Sequence, residues 1–360
     1  MAIIKSILVN VLSGASATIA LLTVGVAYSD RLHPADYPTL SCAGMVFPFI
    51  LAANLIMLML WIMVSWRRSW IPLLGFLVSY PAIRTYIPLH FQEEVPTGCI
   101  KVLSYNVCCY AMVDLAEHPE EAIHDYLARQ NADIVCLQED LTGKPPYTVD
   151  YSDLYPYNDT VRLALPVAGA VNMLGIHSRY PILSKELIKY DSKANGSAAF
   201  LLDVDGDTVL VVNNHLESTH LNLNDRARYH DMIRGNMNRE DTQAETRMLL
   251  GKLSYAMVKR SQQAEAVHHY VQSHSRYPVI LCGDFNDSPI SYARRTIASG
   301  LTDCYVESGC GLGISYNQKG FYFRIDQIMC SRHFEPFSCH VDDSILASDH
   351  YPIICWLRRR

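Results

Sequence analysis

The chain has 360 residues, half of them hydrophobic, and a formal net charge of −6 at pH 7. A chain of this length exceeds the usual size of one domain, so more than one structural region is expected. Residues 1–98 carry five Lys or Arg against four Asp or Glu, which leaves −7 for the rest of the chain. That balance, with no basic run before the C-terminal RRR, argues against a duplex-binding surface. The 11 cysteines include no C-x-x-C pair and none of the usual zinc spacings.

The N-terminal region predicts two membrane-spanning helices. Between Lys5 and Asp30 lie 24 residues without a charge, and between Asp36 and Arg67 lie 30 more. A helix of about 20 apolar residues crosses a hydrocarbon core of roughly 30 Å. A cleaved signal peptide is the alternative for the first segment, but its apolar stretch is longer than a signal peptide needs and a second apolar segment follows.

A third apolar segment runs from Ser69 to Ile83 and contains Pro72 and Pro81. It extends further toward the C-terminus if the Arg84 side chain reaches the membrane interface. We expect it to form a third span, so that residues 1–92 make up a membrane region with about three transmembrane helices.

The basic residues around these segments predict their orientation. Lys5 precedes the first span, and Arg67 and Arg68 follow the second, so the positive-inside rule places the N-terminus and the 66–70 loop in the cytoplasm. With three spans, the region after residue 92 lies outside. The sequence thus predicts an integral protein of the bacterial inner membrane with an extracytoplasmic domain. The lipid bilayer is its expected partner, and no obligate protein partner is evident.

After a linker at residues 93–99, residues 100–360 have the pattern of an α/β domain. Short runs rich in Val, Ile and Leu, bounded by polar or turn residues, predict strands: KVLSYNV, DIVCLQE, NMLGIHS, AAFLLDV, TVLVVNNHL, YPVILCGD, FRIDQIMC and YPIICWL. Helical patterns occupy PEEAIHDYLARQNA and about residues 241–274. The Asp-Gly turn between AAFLLDV and TVLVVNN predicts an antiparallel hairpin, so the sheets should be mixed.

Six predicted strands carry an acid, amide or imidazole at one end, where the side chains of an open α/β sheet meet over a rigid scaffold. These residues are Asn106, Glu139, His215, Asp284 with Asn286, Asp326, and Asp349 with His350. Carboxylate and amide oxygens without a thiolate suit a hard cation such as Mg²⁺, Mn²⁺ or Ca²⁺. Histidines beside acids suit proton transfer. Together these groups fit hydrolysis of a phosphate ester by water without a covalent nucleophile.

The motifs SYNV, LQED, SRYPI, NNHLES, GDFN, RIDQI and SDHYPI follow one another in the chain. In this order they resemble the endonuclease/exonuclease/phosphatase family, which includes deoxyribonuclease I, exonuclease III, bacterial sphingomyelinases and inositol polyphosphate 5-phosphatases. The resemblance covers roughly residues 100–360 and is that of a membrane-anchored bacterial-type member. It implies a four-layer α/β sandwich of two mixed β-sheets flanked by helices, and Mg²⁺ or Mn²⁺ as cofactor.

The resemblance also implies a role for each strand-end residue. Glu139 would be the principal metal ligand, with Asn106 and Asp349 close to the same ion. Asp284 would orient or deprotonate the attacking water, and Asn286 would hold the phosphate or that water. His350 would contact the scissile phosphate, oriented by Asp326, and His215 would assist the leaving group.

Several alternatives remain open at the level of sequence. Asp326 might serve only as a partner of Arg324, and residues 218–240 form either a mobile loop or a lid over the substrate. The phosphate-ester substrate is lipid-derived, a small molecule or a nucleic acid, so a metal-dependent nuclease is one alternative function. A catalytically silent membrane module that binds a phosphorylated ligand is another, and a domain that only mediates contacts is a third.

Overall fold

The structure is a computed structural model of the 360-residue chain. It describes residues 2–91, 93–143, 149–163, 172–192, 194–219, 239–318 and 321–360, together with residues 225, 228 and 236. Most of the 218–240 segment, for which a loop or a lid is predicted, lies outside the described residues.

Four helices form the N-terminal region: α1 (Ala2–Ala27), α2 (Phe47–Ser65), α3 (Trp70–Val78) and α4 (Tyr80–Tyr86). The first of them packs against the second and the third. Ser6–Arg31 and Leu40–Arg68 are the two helical segments, among the described residues, that are long and apolar enough to cross a membrane.

The third predicted span differs from the first two because its helix is broken. α3 ends at Val78, and α4 starts at Tyr80 with Pro81 in its first turn, where proline lacks the N–H that a continuous helix would use. The two short helices together rise about 25 Å at 1.5 Å per residue. This segment approaches the thickness of a hydrocarbon core without being one regular helix.

The helices leave large apolar side chains uncovered on their outer faces. Leu21, Phe49, Met63 and Leu77 are each about two thirds exposed or more. Apolar surface of this extent marks contact with lipid or with another protein.

Residues 100–360 fold into two six-stranded sheets, and the predicted fold is confirmed. The first sheet has the strand order β13-β14-β1-β2-β4-β3 and the second β5-β6-β7-β8-β12-β9. The strands, with the two-stranded ribbon β10-β11, are β1 (Ile100–Asn106), β2 (Ile134–Gln138), β3 (Tyr157–Arg162), β4 (Met173–Ser178), β5 (Ile182–Ile188), β6 (Gly196–Val204), β7 (Asp207–His215), β8 (Val279–Asp284), β9 (Thr302–Asp303), β10 (Tyr316–Gln318), β11 (Phe321–Phe323), β12 (Asp326–Cys330), β13 (Phe334–Val341) and β14 (Ile353–Arg359).

Both sheets are mixed, as the hairpin predicts. β6 and β7 pair antiparallel across the turn at Asp205 and Gly206, which both have positive φ. β1 pairs with β2 and β7 pairs with β8 in parallel. The carboxyl ends of these two parallel pairs bring the predicted site residues together.

Helices cover the outer face of each sheet and complete four layers. α5 (Pro119–Gln130) buries Ile123 and Leu127 against the first sheet, and α6 (Arg239–Ser273) buries Ala264 and Val267 against the second. A third buried cluster, drawn from strands of both sheets, fills the space between them. The short helices α7 (Tyr292–Ile297) and α8 (Cys304–Ser308) follow β8.

The N-terminal helices dock directly on the sandwich. Ile290 of the sandwich packs in one buried cluster with Ala27, Phe47, Ala82 and Tyr86. Ala27 lies at the end of α1, Phe47 at the start of α2, and Ala82 and Tyr86 in α4, so one end of the helical region faces the sandwich. The loop between α2 and α3 lies at the opposite end.

Arg324 connects the N-terminal helices to the sandwich by hydrogen bonds. Its guanidinium, only 2% exposed, donates to the backbone oxygens of Thr85 and Tyr86 and to that of Leu312. It does not pair with Asp326, so the interpretation of Asp326 as a mere partner of Arg324 is wrong.

Candidate active site

The strand ends bring the predicted residues to one edge of the sandwich. Asn106, His215 and Asp284 are the last residues of β1, β7 and β8, and His215 lies opposite Asp284 in the parallel register. β12 runs antiparallel to β8, so its first residue, Asp326, lies opposite Asp284 from the other side. Glu139 follows β2 directly.

Asp284 lies at the centre of the arrangement and is only 1% exposed. Its Oδ2 accepts from Asn106 Nδ2 at 3.1 Å and lies 3.7 Å from His215 Nε2 and 3.6 Å from His350 Nε2. Its Oδ1 accepts from the backbone N–H of Asn286 at 2.7 Å. Burial raises the pKa of Asp284, and the neighbouring His350 opposes that rise. The carboxylate is therefore buried, held by fixed donors and a stronger base than an exposed aspartate.

His350 lies between two carboxylates. Its Nδ1 lies 2.9 Å from Asp326 Oδ2, and its Nε2 points toward Asp284. Burial alone lowers the pKa of His350, but the charges of Asp326 and Asp284 outweigh burial and raise it to about 10. At neutral pH the imidazole is therefore a cation, and its Nε2–H is available as a hydrogen-bond donor at the site.

His215 joins Glu139 to Asp284. Its Nε2 lies 3.7 Å from both Glu139 Oε1 and Asp284 Oδ2, and among the residues that the structure describes its buried Nδ1 has no hydrogen-bond partner. Within that part of the chain no second group fixes the tautomer of this ring, in contrast to His350.

Glu139 is a partly exposed acid of the site and adopts an uncommon backbone conformation. Its φ is 54°, in the left-handed region, and its side chain is 27% exposed. Asn106 Nδ2 approaches its Oε1 at 3.5 Å, and the Cys109 thiol donates to its Oε2 at 3.4 Å. A left-handed conformation in a residue other than glycine persists where the surroundings enforce it, which is common at functional sites.

A buried pair behind Glu139 supplies that enforcement. Asp140 and His177 are fully buried, and His177 Nε2 lies 3.2 Å from Asp140 Oδ2. The other oxygen of Asp140 accepts from the Tyr110 hydroxyl and from the backbone N–H of Thr142. These bonds fix the chain on the C-terminal side of Glu139.

Asn286 also has positive φ, at 51°. Its Nδ2 donates to the backbone oxygen of Leu216 at 2.9 Å and approaches Asp284 Oδ2 at 3.3 Å. The side chain thus holds the loop after β7 against the loop after β8 and leaves its amide oxygen free to accept.

A cavity of about 200 Å³ opens over these groups. It is lined by Asn106, Glu139, His215, Asp284, Asn286, Asp349 and His350, so seven of the eight predicted residues border it, and Asp326 lies behind His350. The structure therefore brings all eight predicted residues to one place, and their individual roles remain predictions.

The donor atoms around the cavity fit a hard divalent cation. Glu139 and Asp349 offer carboxylates and Asn106 an amide, the ligand types that Mg²⁺ and Mn²⁺ prefer. Asn106 presents its Nδ2 to the acids, while its Oδ1 accepts from the Cys108 N–H. To bind a metal ion through Oδ1, the amide group would have to flip so that its oxygen faces the acids.

Asp284, Asp326 and His350 form a second set of close ligand atoms, within 4.8 Å of one another among the described residues. The contact of 2.9 Å between His350 Nδ1 and Asp326 Oδ2 pairs these two side chains within the set.

Sequence reasoning missed four residues that border or support the site. Arg260 of α6 lines the cavity, donates to Asp287 Oδ2 at 3.0 Å and binds the backbone oxygen of Glu217. Asp287 directly follows the GDFN motif and Asp140 lies in LQED, and these positions were the available signal in the sequence. Met45, from the segment between α1 and α2, also lines the cavity, and no sequence pattern indicated it.

Comparison with known families gives two matches along the chain. Residues 103–350 match the model described as Endonuclease/Exonuclease/phosphatase family, and residues 9–86 match one described only as a domain of unknown function. None of the curated proteins matches the chain in sequence.

Several solved structures share the fold. The catalytic domain of human nocturnin with bound sulfate superimposes with a TM-score of 0.54 at 17% identity, covering 74% of this chain and 96% of that one. An endonuclease/exonuclease/phosphatase from Bacteroides vulgatus has a TM-score of 0.52 at 15% identity, covering 73% and 100%. D. rerio TDP2 complexed with a single-strand DNA product has a TM-score of 0.50 at 15% identity, covering 72% and 99%. At these identities the likeness establishes the fold.

Proposed function

Since the chain belongs to the endonuclease/exonuclease/phosphatase family, we propose that it is a membrane-anchored phosphoesterase whose eight strand-end residues carry metal-assisted hydrolysis. Members of this family hydrolyse phosphate esters with a divalent metal ion, and the chain is a hydrolase of this kind. The observation that carries the proposal is the convergence of Asn106, His215 and His350 on one buried oxygen, Oδ2 of Asp284.

Glu139 would hold the metal ion together with Asn106 and Asp349, and Mg²⁺ or Mn²⁺ fits this donor set. When bound, the ion would neutralise the phosphoryl oxygens and favour attack at phosphorus. Glu139 suits this position because its carboxylate borders the cavity and its backbone is held from behind by the buried Asp140.

Asp284 would take the proton of the attacking water as the water oxygen bonds to phosphorus. Its raised pKa favours that role, since a stronger carboxylate base accepts a proton more readily. Asn286 would offer its amide oxygen to the same water. To hold the phosphate instead, its Nδ2 would have to leave the Leu216 oxygen or the Asp284 carboxylate.

His350 would donate from Nε2 to a phosphoryl oxygen, held in place by Asp326 at Nδ1. Its positive charge opposes the charge that builds on the phosphoryl group in the transition state. His215 would give a proton to the departing oxygen when the P–O bond breaks, which requires its Nε2 to be protonated in the complex.

The N-terminal helices would anchor the enzyme in the bacterial inner membrane as three spans formed by α1, α2 and the α3–α4 pair. Arg67 and Arg68 lie at the end of the helical region away from the sandwich, which supports an extracytoplasmic sandwich under the positive-inside rule.

The test is hydrolysis of bis-p-nitrophenyl phosphate by the detergent-solubilised full chain with Mg²⁺ or Mn²⁺, compared with the same protein in chelator. We expect metal-dependent turnover that falls at least about 100-fold in Asp284→Ala and in His350→Ala. A folded protein that binds the ester without hydrolysing it under any metal would instead indicate a silent ligand-binding module.

A further inference from the structure

The cavity lining contains two chemically different sets of side chains, called here the polar and the apolar wall. One carries the acids and histidines described above, and the other carries the apolar side chains of Met45, Leu253, Phe323 and Ile325. Hydrolysis of the phosphate group needs only the polar wall. The apolar wall therefore faces some part of the substrate other than its phosphate.

Met45 reaches this wall from the helical region, and it does so in a fixed position. The neighbouring Gly44 is packed so closely that a Cβ there would lie 1.8 Å from the Ile290 backbone oxygen. Cys42 Sγ lies 3.8 Å from Ser254 Oγ on α6, and Phe47 shares a buried cluster with Ile290. The segment is thus a built part of the cavity wall.

Met45 lies two residues before the start of α2, whose first turns carry exposed apolar side chains. Val46 is 45% exposed and Phe49 is 67% exposed, and α2 is one of the two segments long and apolar enough to cross a membrane. Exposed apolar side chains thus follow Met45 directly in the chain, at the start of a helix that is long and apolar enough to cross a membrane.

The part of the cavity lining that the structure describes offers little positive charge to a long polyanion. Among its described lining residues, Arg260 is the one Lys or Arg, and its guanidinium is buried against Asp287 and the Glu217 backbone. Nucleic acid binding draws on many basic contacts along the phosphate backbone. A single phosphate with an apolar substituent matches the two walls better.

We propose that the substrate is a phosphate ester of a membrane lipid, whose apolar chain lies against Met45 and Leu253 and extends along α2 toward the bilayer. This inference rests on the proposed phosphoesterase function. It adds the substrate class and assigns the N-terminal region a part in substrate binding besides anchoring.

The test compares octyl p-nitrophenyl phosphate with methyl p-nitrophenyl phosphate, using the full chain in detergent with Mn²⁺ and Mg²⁺. The two esters share the leaving group and differ in chain length alone. Each methylene buried on binding is worth about fourfold in kcat/KM, so several buried methylenes predict a preference of about 100-fold for the octyl ester. A single-stranded oligonucleotide is assayed in parallel.

Variants of the cavity residues test whether the preference for the octyl ester arises at the apolar wall. Met45→Ser and Leu253→Ser should each lower the octyl-to-methyl ratio of kcat/KM about tenfold, while Met45→Leu, which keeps the apolar surface, should retain it. Leu183→Ser removes an exposed leucine of β5 outside the cavity and should leave the ratio unchanged.

A ratio near one, a ratio insensitive to Met45→Ser, or faster hydrolysis of the oligonucleotide would overturn the lipid assignment and leave the phosphoesterase intact. If folded protein hydrolyses none of the esters with either metal, the proposed function fails and the substrate class fails with it. Turnover of the octyl ester alone would support both.

Discussion

Asp284 and Asp326 lie directly opposite each other on antiparallel strands β8 and β12, and the imidazole of His350 lies between their carboxylates. Two buried acids at such close quarters repel each other unless a cation separates them. The strand register therefore requires a positive charge at this place, and protonated His350 provides it.

This relationship predicts the effect of Asp326→Asn on the pH profile. Without the Asp326 charge, burial should count for more and lower the pKa of His350 from about 10, although the charge of Asp284 still opposes burial. The alkaline limb of the kcat/KM profile should move to lower pH by the same amount, as measured with bis-p-nitrophenyl phosphate between pH 6 and 10.5. An unmoved limb would mean that His350 is not the group that must stay protonated.

The raised pKa of His350 also predicts how the stability of the fold depends on pH. A histidine whose pKa is higher in the folded state stabilises the fold fully below its ordinary value near 6.5, and this contribution is lost as the pH rises through about 10. We expect the thermal unfolding midpoint of the wild type to fall over that range. His350→Gln, which cannot gain the charge, should show a flatter dependence in the same scans.

Metal binding should stabilise the protein independently of turnover. A ligand present at 100 times its dissociation constant adds about 2.7 kcal/mol to the free energy of unfolding, which corresponds to a rise of about 5 °C or more. Mn²⁺ should raise the melting temperature of the wild type, and Glu139→Gln should remove most of the response. Asp205→Asn, in the exposed hairpin turn, is the matched control and should respond like the wild type.

We expect the buried Asp140–His177 pair to contribute strongly to the stability of the fold. His177→Ala leaves the Asp140 carboxylate buried without its partner, which costs about 3–5 kcal/mol. Asp140→Asn keeps an acceptor for Tyr110 and Thr142 and should cost less. Thermal melts of both variants test this order, and equal losses would contradict it.

Gly44→Ala should displace the segment that carries Met45. The added Cβ would meet the Ile290 backbone oxygen at 1.8 Å, so the segment has to move away from the sandwich. We expect a lower melting temperature and a smaller octyl-to-methyl ratio. The control is Gly251→Ala on α6, where a Cβ meets nothing within 4 Å and should stabilise the helix by about 0.5–1 kcal/mol.

Much of the fold follows from local sequence patterns. Short runs of β-branched residues and the Asp205-Gly206 turn predict strands and a hairpin because their periodicity is local. The strand-end acids are predictable for the same reason, since parallel strands such as β7 and β8 bring their ends to one edge.

Other features depend on contacts between distant parts of the chain. Met45 meets the cavity beside residues more than 200 positions away, and Arg260 finds Asp287 across a helix–loop interface. The break between α3 and α4 was signalled by Pro81, but where a helix ends depends on the packing around it. No local pattern encodes such relationships.

The position of Arg324 also bears on the order in which the chain folds during synthesis. The carbonyl groups of Thr85 and Tyr86 that it binds leave the ribosome more than 200 residues before Arg324 does. Burying a guanidinium without hydrogen-bond acceptors is costly. The part of the sandwich around Arg324 can therefore pack at low free energy only after α4 has formed. Biosynthesis thus couples folding of the N-terminal helices to completion of the sandwich, and a chain whose N-terminal helices fail to fold would retain an open, protease-sensitive corner at Arg324.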